Sequence, residues 1–150
     1  MIKIFLDANI LLDITYDSRP FSKESSKLYA HLVQNLDTYK LYTSCDLLTT
    51  IYYVLRKQFK TKIVLEKLKI LNQLMTIIEF GNQEVDEAIY LMEKNEKFTD
   101  LEDTIQFVMA RKERCDYIIT NDKGFYSHET VLLTSTKAIV EFNINFKDLL

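Results

Sequence analysis

Short apolar runs, each about as long as a β-strand, alternate along this chain with longer stretches in which apolar residues recur at helical spacing. The runs predict strands at residues 2–6, 40–43, 76–80, 117–120 and 131–133. The longer stretches predict helices at residues 9–14, 22–36, 84–95 and 135–142. Three more begin within 99–102 and at the predicted caps Ser44 and Thr61, and the helix after Thr61 is expected to bury Ile63, Leu68, Leu71 and Leu74. Strands that alternate with helices are typical of an α/β fold with a mainly parallel sheet, whose ligands bind beyond the carboxyl ends of the strands.

Composition narrows the functions that such a fold can carry. The 150 residues are 47% hydrophobic and 27% charged, as in a soluble globular protein, and no linker or repeat divides them, which predicts a single domain over residues 1–150. With two glycines and one proline, the chain lacks the Gly-rich loops that bind phosphate. The chain has only two histidines, so a zinc site with histidine ligands or a Ser-His-Asp triad is disfavoured. Any catalytic chemistry must therefore come from carboxylates.

The cysteines, the N-terminal segment and the net charge indicate the compartment and the kind of partner. Cys45 and Cys115 lie far apart in apolar stretches, which predicts buried free thiols in a reducing environment. Asp7 and Asn9 interrupt the apolar N-terminal run, so it resembles neither a signal peptide nor a membrane span. We therefore expect a cytoplasmic protein without a membrane segment. The formal net charge of -3 argues against a generic polyanion binder, although local basic patches remain possible.

Acidic residues follow two of the predicted strands and open one of the predicted helices. Asp7 comes directly after the first strand, and Asp122 lies just beyond the fourth. Because the carboxyl ends of parallel strands meet at one edge of a sheet, both side chains reach the edge where ligands bind. Asp100 and Asp103 are three residues apart in the first turn of a helix, so they share one face. The topology therefore allows these four carboxylates to be neighbours.

Carboxylates that face each other repel, and each raises the pKa of the others unless a cation neutralises them. Oxygen ligands without histidine or thiolate suit Mg²⁺ or Mn²⁺. A bound ion of this kind activates water and stabilises charge on a phosphodiester, so no histidine base is needed. The acidic constellation therefore favours nuclease chemistry.

Each acid also has a purely structural explanation. Asp100 and Glu102 suit the first turn of a helix, where the sequence TDLE has the form of a capping box, and such acids are more often capping groups than ligands. Asp122 lies in the sequence NDKG, which favours a turn equally well. Asp13 is expected to be a solvated charge. Asp7 is the hardest to explain structurally, because an acid that ends an apolar strand has no evident structural need.

Three segments of the chain carry a resemblance to a known family: FLDANILLD, YTSCDLLTTIYYVLRK and FTDLEDTIQFVMARKERCDYIITNDKGF. In order and spacing they resemble the signature segments of the PIN domain family, in its VapC-like toxin branch. The resemblance covers nearly the whole chain and implies a PIN-like three-layer α/β/α sandwich with a mainly parallel central sheet. It implies a metal-dependent endoribonuclease that uses Mg²⁺ or Mn²⁺, with Asp7, Asp103 and Asp122 as catalytic residues and metal ligands. Asp100 is implied as an additional metal ligand, and Asn9 accompanies Asp7.

One position departs from the family pattern. Where the family has a helix Glu, this chain has Thr50. Asp46 lies one turn earlier on the same helical face and could reach toward the site, although its place just after Ser44 also suits the helix dipole. Thr50, Asp46 and Asn121, which precedes Asp122, are therefore predicted as supporting residues. Because of Thr50, a catalytically weak or inactive PIN-fold module that binds RNA or protein is the alternative prediction.

The resemblance also implies partners. These are an RNA substrate, a small antitoxin whose C-terminal segment covers the acidic site, and a second toxin chain in a homodimer. RNA needs basic residues at the rim of the site, and the candidates are Lys123 and a cluster of Arg56, Lys57, Lys60 and Lys62. The cluster is explained at least as well as a solvated helix end whose cations suit the dipole. A cation placed among the carboxylates would be an effective inhibitor.

A third hypothesis is a phosphotransfer domain in which Asp7 is the phosphorylated nucleophile. A phosphatase of the D-x-D kind needs a second acid two residues on, where this chain has Asn9. A receiver domain needs an acid after its central strand, where this chain has Phe80, Gly81 and Asn82. Both departures disfavour phosphotransfer.

Overall fold

The computed structural model describes residues 1–145, and within them it has five β-strands and seven α-helices. The strands are β1 (Ile2–Leu6), β2 (Tyr39–Ser44), β3 (Thr76–Ile78), β4 (Tyr117–Ile119) and β5 (Val131–Leu133). The helices are α1 (Ala8–Thr15), α2 (Ser22–Gln34), α3 (Cys45–Leu55), α4 (Thr61–Leu74), α5 (Asn82–Lys94), α6 (Leu101–Lys112) and α7 (Ser135–Glu141). Every predicted strand and helix is present, with ends that shift by a residue or two.

The strands form one parallel sheet in the order β3-β2-β1-β4-β5. β1 is at the centre, where Phe5 lies opposite Tyr42 of β2 and Ile118 of β4. The chain moves outward from β1 to β2 and β3, then crosses back to place β4 on the other side of β1. This reversal of direction leaves a crevice beyond the carboxyl ends of β1 and β4, which is where open parallel sheets bind ligands. The predicted parallel sheet is confirmed.

Helices cover both faces of the sheet, which explains why β1 is apolar on both sides. Side chains alternate between the two faces of a strand. Ile4 and Leu6 pack with α1, α2, α3, α4 and α7, whereas Phe5 packs with α5 and α6. All three side chains are fully buried. The predicted three-layer sandwich is therefore present, with the central strand enclosed between two apolar cores.

The start and the buried face of α4 differ from the prediction. Thr61 is the first residue of the helix and not its cap, because Lys60, with extended backbone, precedes it as the N-cap. Ile63 was expected inside but is 41% exposed, and the buried residues are Val64 and Leu71. These two residues are seven apart, so α4 contacts the core along a narrow stripe only.

Both cysteines are free thiols, as predicted. Cys115 is buried, but Cys45, at the start of α3, is only partly buried because it lies on the side of the helix away from the core. No helix among residues 1–145 is both long and apolar enough to cross a membrane.

Candidate active site

An acidic cavity of about 430 Å³ opens at the carboxyl edge of the sheet. β1 and β4 are parallel neighbours, so Asp7 and Asp122, which follow them, reach the same edge. The first turn of α6 also lines the cavity. The acid and amide side chains around it include Asp7, Asn9, Asp100, Glu102, Asp103 and Asp122. The structure therefore brings together the four carboxylates that the sequence predicted as neighbours, and it adds Glu102, which the sequence indicated as a capping group.

Asp7 is the most buried carboxylate of the acidic cavity, with 4% of its surface exposed. Its Oδ1 accepts a hydrogen bond of 2.6 Å from the backbone N–H of Ala8, and Asp7 is the N-cap of α1. Its Oδ2 accepts a hydrogen bond of 2.7 Å from the Thr120 hydroxyl and another from the Asn9 side-chain amide. Asp7 thus has a structural role that the sequence did not reveal. Oδ2 thus accepts two hydrogen bonds, whereas Oδ1 accepts one and keeps a lone pair for a ligand.

Thr120 and Asn9 hold the ends of β1 and β4 together. The Thr120 hydroxyl accepts hydrogen bonds from Asn9 Nδ2 at 2.9 Å and from the backbone N–H of Asp122 at 3.0 Å. Asn9 Oδ1 accepts a hydrogen bond of 2.9 Å from the backbone N–H of Asn121. These bonds fix the position of Asp122 relative to Asp7. Thr120 was missing from the predicted site, although it opens the TNDKGF segment that contains Asp122.

The first turn of α6 supplies three carboxylates. Asp100 is the N-cap, and its Oδ1 accepts a hydrogen bond of 3.0 Å from the backbone N–H of Asp103. The predicted capping box, whose cap lies one residue earlier, is therefore wrong, because aspartate caps a helix at least as well as threonine does. Asp100 provides the cap, so Glu102 is not needed for capping. Glu102 lines the cavity together with Asp103. The signal that could have found Glu102 is its place in the first turn, directly before a predicted ligand.

Burial and mutual repulsion raise the pKa values of carboxyls in the acidic cavity. The pKa of Asp103 is raised to about 7, first by burial and then by the other carboxylates around the cavity. Burial raises the pKa of Asp7 to about 6, against the opposing effect of the Thr120 hydrogen bond. Burial also raises the pKa of Glu102, and the charge of Asp46 adds to this effect. The cavity therefore takes up protons near neutral pH, as expected where no cation balances the acids.

The ion pairs within residues 1–145 involve other carboxylates, namely Asp13, Glu84, Glu87 and Glu129. The acidic cavity therefore has an excess of negative charge that no ion pair in this part of the chain offsets. Its carboxylate and amide oxygens are the donors that Mg²⁺ and Mn²⁺ prefer. As the side chains stand, no three His, Cys, Asp or Glu residues among those described are arranged to hold a metal ion. Coordination would therefore require rotation of exposed side chains such as Asp122.

The predicted supporting residues of α3 do not line the acidic cavity in the part of the chain that the structure describes. Ser44 is the N-cap of α3, but its hydroxyl donates to the side chain of Asp46 and caps no backbone N–H. Asp46 is near enough for its charge to raise the pKa of Glu102. Neither Asp46 nor Thr50 is among the described residues that line the cavity. The carboxylate that the cavity gains beyond the predicted set is therefore Glu102 of α6, and α3 contributes none.

The predicted RNA-binding cations are outside the acidic cavity. Arg56 and Lys57 follow the last residue of α3, and the eleven residues of this helix separate them from its start by about 16 Å. The Arg56 guanidinium lies 4.5 Å from the ring centre of Tyr53. Lys123 is exposed next to Asp122, but it does not line the cavity in the part of the chain described. The structure thus places Lys123 at the rim and the Arg56 cluster away from it.

A buried polar network adjoins the acidic cavity. Asp13 was expected to be solvated, and this is wrong, because the residue is 1% exposed. Its Oδ1 accepts a hydrogen bond from Arg19 Nε at 2.7 Å, and its Oδ2 accepts from Ser25 Oγ at 3.0 Å and from Asn121 Nδ2 at 3.1 Å. Asn121 Oδ1 in turn accepts from the backbone N–H of Ser135 at 3.0 Å. Asn121, a predicted supporting residue, therefore connects the end of β4 to α1, α2 and α7.

A parallel sheet with carboxylates gathered at its carboxyl edge defines an α/β domain with an acidic site. The chain belongs to the PIN domain family, because the model of that family, described as a PIN domain, matches residues 3–124. The chain is also 42% identical to ribonuclease VapC1 of Aquifex aeolicus over 141 residues, which cover 94% of this chain and 96% of that protein. The predicted family is thereby confirmed.

Solved structures agree with the family at the level of the fold. The sarcin-ricin loop cleaving toxin VapC20 of Mycobacterium tuberculosis has a TM-score of 0.66 at 16% identity, covering 81% of this chain and 92% of that chain. VapBC2 of Rickettsia felis, solved with a DNA fragment from its promoter, has a TM-score of 0.67 at 19% identity, covering 89% and 98%. The TM-scores demonstrate a common fold. At such low sequence identities they do not establish a common activity.

Proposed function

We propose that this protein is a metal-dependent endoribonuclease and the toxin of a toxin–antitoxin pair. The observation that carries the proposal is the acidic cavity, where Asp7 and Asp103 have raised pKa values and no cationic partner among residues 1–145. Repulsion of this kind destabilises a fold, so a ligand that supplies positive charge is its best explanation. The Aquifex aeolicus relative is named a ribonuclease, and the similar structures include a toxin–antitoxin complex from Klebsiella pneumoniae. The first supports RNA as the substrate, and the second supports a toxin role.

Asp7, Asp103 and Asp122 are the proposed catalytic residues, and with Asp100 they are the proposed ligands of Mg²⁺ or Mn²⁺. A bound ion of this type lowers the pKa of water and neutralises charge on a phosphodiester. Asp7 is the fixed member of the set, because hydrogen bonds hold both of its oxygens. Asp103 is partly exposed and can turn toward the ion. Asp122 is exposed, but its Oδ1 accepts a hydrogen bond of 2.8 Å from the backbone N–H of Gly124, so Oδ2 is its proposed ligand atom. Glu102 adds negative charge to the cavity wall and so favours entry of a cation.

Asn9, Thr120 and Asn121 are the proposed positioning residues. Asn9 and Thr120 orient Asp7 and hold the backbone of Asp122, as their hydrogen bonds show. Asn121 supports the same strand end through its bonds to the buried network. The proposed role of Asp46 is electrostatic and acts through Glu102. Thr50 remains a supporting residue by family resemblance only.

The proposed contacts to RNA begin at the rim of the acidic cavity. Lys123 is the first candidate, because it is exposed and adjoins Asp122. Arg56 and Lys57 can contact the same RNA only where the strand extends along α3 toward its last residue. Contacts of this kind to phosphates position a nucleic acid without reading its sequence.

The proposed protein partner is a small antitoxin that inhibits by placing a cation in the acidic cavity. A lysine or arginine there would replace the protons on Asp7 and Asp103 with charge-assisted hydrogen bonds. We further propose, from the family resemblance, a homodimer, one domain over residues 1–150 and a cytoplasmic location, where RNA is accessible. Light scattering of the purified chain tests the dimer directly.

The test of the proposed function compares two matched double variants. Asp7→Asn with Asp103→Asn removes two carboxylates of the acidic cavity, whereas Asp37→Asn with Asp86→Asn removes two exposed carboxylates outside it. Mn²⁺ is titrated into each protein by calorimetry, and each is then incubated with Mn²⁺ and a diverse RNA pool. We expect the site variant to lose binding and cleavage and the control to keep both. Cleavage that survives in the site variant would contradict the proposal.

The second candidate function is a PIN-fold module that binds RNA or protein without hydrolysis. The observation in its favour is Thr50, together with the absence of any α3 carboxylate from the described lining of the cavity. Mn²⁺ binding by the unsubstituted chain without cleavage of any RNA would favour it, particularly where Thr50→Glu then produced cleavage. We favour hydrolysis because Glu102 gives the cavity a further carboxylate from α6.

A further inference from the structure

A second cavity, of about 310 Å³, lies beside the acidic cavity and shares Asn9 and Asp122 with it. Its other lining residues include Arg19, Pro20 and Phe21, in the connection between α1 and α2. Its volume is at the lower end of the range for small-molecule sites, about 300–1,000 Å³. We call this space the Arg19 cavity. Because it borders Asp122, a chain that passes through the acidic cavity has direct access to it.

Arg19 is held in this cavity by a buried acid. Its Nε donates a hydrogen bond of 2.7 Å to Asp13, which Ser25 and Asn121 fix from the other side. The Arg19 side chain is still 29% exposed. Within residues 1–145 no hydrogen bond or ion pair uses its two terminal NH₂ groups. Asp13 therefore orients the guanidinium and leaves its planar outer edge available, which is the geometry that binds phosphate oxygens in pairs.

Phe21 gives the same cavity an exposed aromatic surface. Its side chain is 45% exposed although Phe21 immediately precedes α2, where the apolar core lies close by. Pro20, just before it, has a fixed φ, which reduces the freedom of the backbone that carries Arg19 and Phe21. An exposed aromatic ring beside an arginine is the combination on which unpaired bases stack while the cation binds the backbone.

We propose that the Arg19 cavity is the subsite for one unpaired nucleotide next to the phosphate that is cleaved, with a flanking phosphate on Arg19 and a base against Phe21. This inference rests on the proposed ribonuclease function, and it assigns the nucleotide beside the cleaved phosphate to the connection between α1 and α2. A base inside a duplex is stacked on both faces and cannot reach Phe21 without leaving its helix. The subsite therefore selects unpaired segments.

A purely structural role for Arg19 would be to neutralise buried Asp13, and the variants are chosen to separate the two roles. Arg19→Lys keeps the positive charge near Asp13 but removes the planar edge. Phe21→Leu does not alter any contact of Asp13. The matched controls are Arg114→Lys, an exposed arginine before β4 at the opposite edge of the sheet, and Tyr90→Leu, an exposed aromatic on α5. Thermal unfolding of each variant confirms that it folds.

The experiment measures binding of a mixed-sequence single-stranded RNA of about 12 nucleotides by fluorescence anisotropy, in an Asp103→Asn background that prevents cleavage. Titrations between about 50 and 200 mM KCl give the salt dependence. We expect Phe21→Leu to weaken binding about tenfold with an unchanged salt slope. Arg19→Gln should lower the slope by about 0.7, the value for one phosphate contact to a single strand. Arg19→Lys should weaken binding but keep the slope, and both controls should match the parent.

The outcomes distinguish this inference from the function on which it rests. Failure of the unsubstituted chain to cleave any RNA would overturn the proposed function and the subsite together. Normal cleavage with unchanged binding in both Arg19→Lys and Phe21→Leu would overturn the subsite alone. Equal binding of the same RNA after annealing to its complement would also overturn it. If Arg19→Gln fails to fold because Asp13 has lost its partner, Arg19→Lys and Phe21→Leu decide the question.

Discussion

Two acidic regions of this molecule differ in whether their carboxylates have cationic partners. Between α5 and α6, Glu84 accepts hydrogen bonds from Lys112 Nζ at 2.6 Å and from the backbone N–H of Gly81 at 2.8 Å. The bond from Lys112 is the main reason why the pKa of Glu84 is lowered to about 2. On the same pair of helices, Arg111 forms an ion pair with Glu87. Glu84 and Glu87 of α5 are thus each paired with a cation of α6.

The acidic cavity has the opposite character. Asp7 and Asp103 are surrounded by acids, and their pKa values are raised to about 6 and about 7. The α5–α6 region shows that this chain can supply lysine and arginine where acids need them. The absence of such partners among the described residues of the cavity is therefore best explained by a ligand. Charge compensation, more than the number of acids, distinguishes the structural acidic cluster of α5 and α6 from the functional one of the cavity.

The largest expected effect of this difference is on metal affinity as a function of pH. Asp103 and Asp7 must lose protons before they bind an ion, and their raised pKa values mean that this happens only near neutral pH. We expect the Mn²⁺ affinity to rise at least about 100-fold between about pH 5 and pH 8. Calorimetry at several pH values measures it. Asp103→Asn should bind more weakly and with a shallower pH dependence, and a flat profile in the unsubstituted chain would refute the assignment.

The second-largest expected effect is on the rate of RNA cleavage, and it tests which carboxylate belongs to the acidic cavity. Glu102 lines it and Asp46 does not, although the charge of Asp46 helps to raise the pKa of Glu102. We expect Glu102→Gln to lower the rate of RNA cleavage about tenfold and Asp46→Asn to lower it less than about threefold. Initial rates on one RNA substrate at saturating Mn²⁺ measure both. The reverse order would place the additional carboxylate on α3 instead of α6.

Stability should respond with opposite signs in the two regions. Asp103→Asn removes a repelled charge, and because the residue is partly exposed to screening solvent we expect a gain of only about 1 kcal/mol in the free energy of unfolding without metal. Glu84→Gln removes a compensated charge and should lower Tm by about 2–4 °C. Urea and thermal unfolding in the presence of a chelator measure these changes, with Asp37→Asn as a control of unchanged stability. Changes of the same sign would contradict the claim that the two regions differ in charge compensation.

The smallest expected effect is a difference in the pH range over which each region affects stability. The folded pKa of Glu84 lies below its ordinary value of 4.5, so its contribution is present above that value and is lost as the pH falls toward about 2. The folded pKa of Asp103 lies above its ordinary value of 3.8, so its unfavourable contribution grows as the pH rises from about 4 to 7. Unfolding curves of Glu84→Gln and Asp103→Asn should each show a shallower slope over the range of the substituted residue. Part of the slope between about pH 4 and 7 remains in Asp103→Asn, because Asp7, whose pKa is raised to about 6, still contributes there. Slopes as steep as those of the unsubstituted chain would show that other groups dominate.

Much of the site could be predicted because strand ends of a parallel sheet converge. Asp7 and Asp122 each follow an apolar strand, and this local pattern was sufficient to predict that they share an edge. Asp103 followed from its place in a helix whose start was clear within a residue. These residues share one property: their position depends on the backbone, which the periodicity of the sequence reveals.

The residues that were missed depend on side-chain contacts between distant elements. Asp13 looked like a solvated helix charge, because its partners Ser25 and Asn121 come from another helix and from a strand end. In the sequence, Thr120 is the last residue of a predicted apolar strand. Only the pairing of β4 with β1 brings its hydroxyl to Asp7. Glu102 was assigned to a capping box that Asp100 makes unnecessary. No periodicity identifies such contacts.

The hydrogen bond from Thr120 to Asp7 joins residues 113 positions apart, and it has a consequence for synthesis on the ribosome. During translation, Asp7 and α1 emerge early, and Thr120 is made 113 residues after Asp7. Contacts of such long range also form late in folding, because closing a long loop has an entropic cost. An incomplete chain therefore has Asp7 without the partners that orient it. The cell that makes this protein is exposed to an assembled site only after synthesis has passed Asp122.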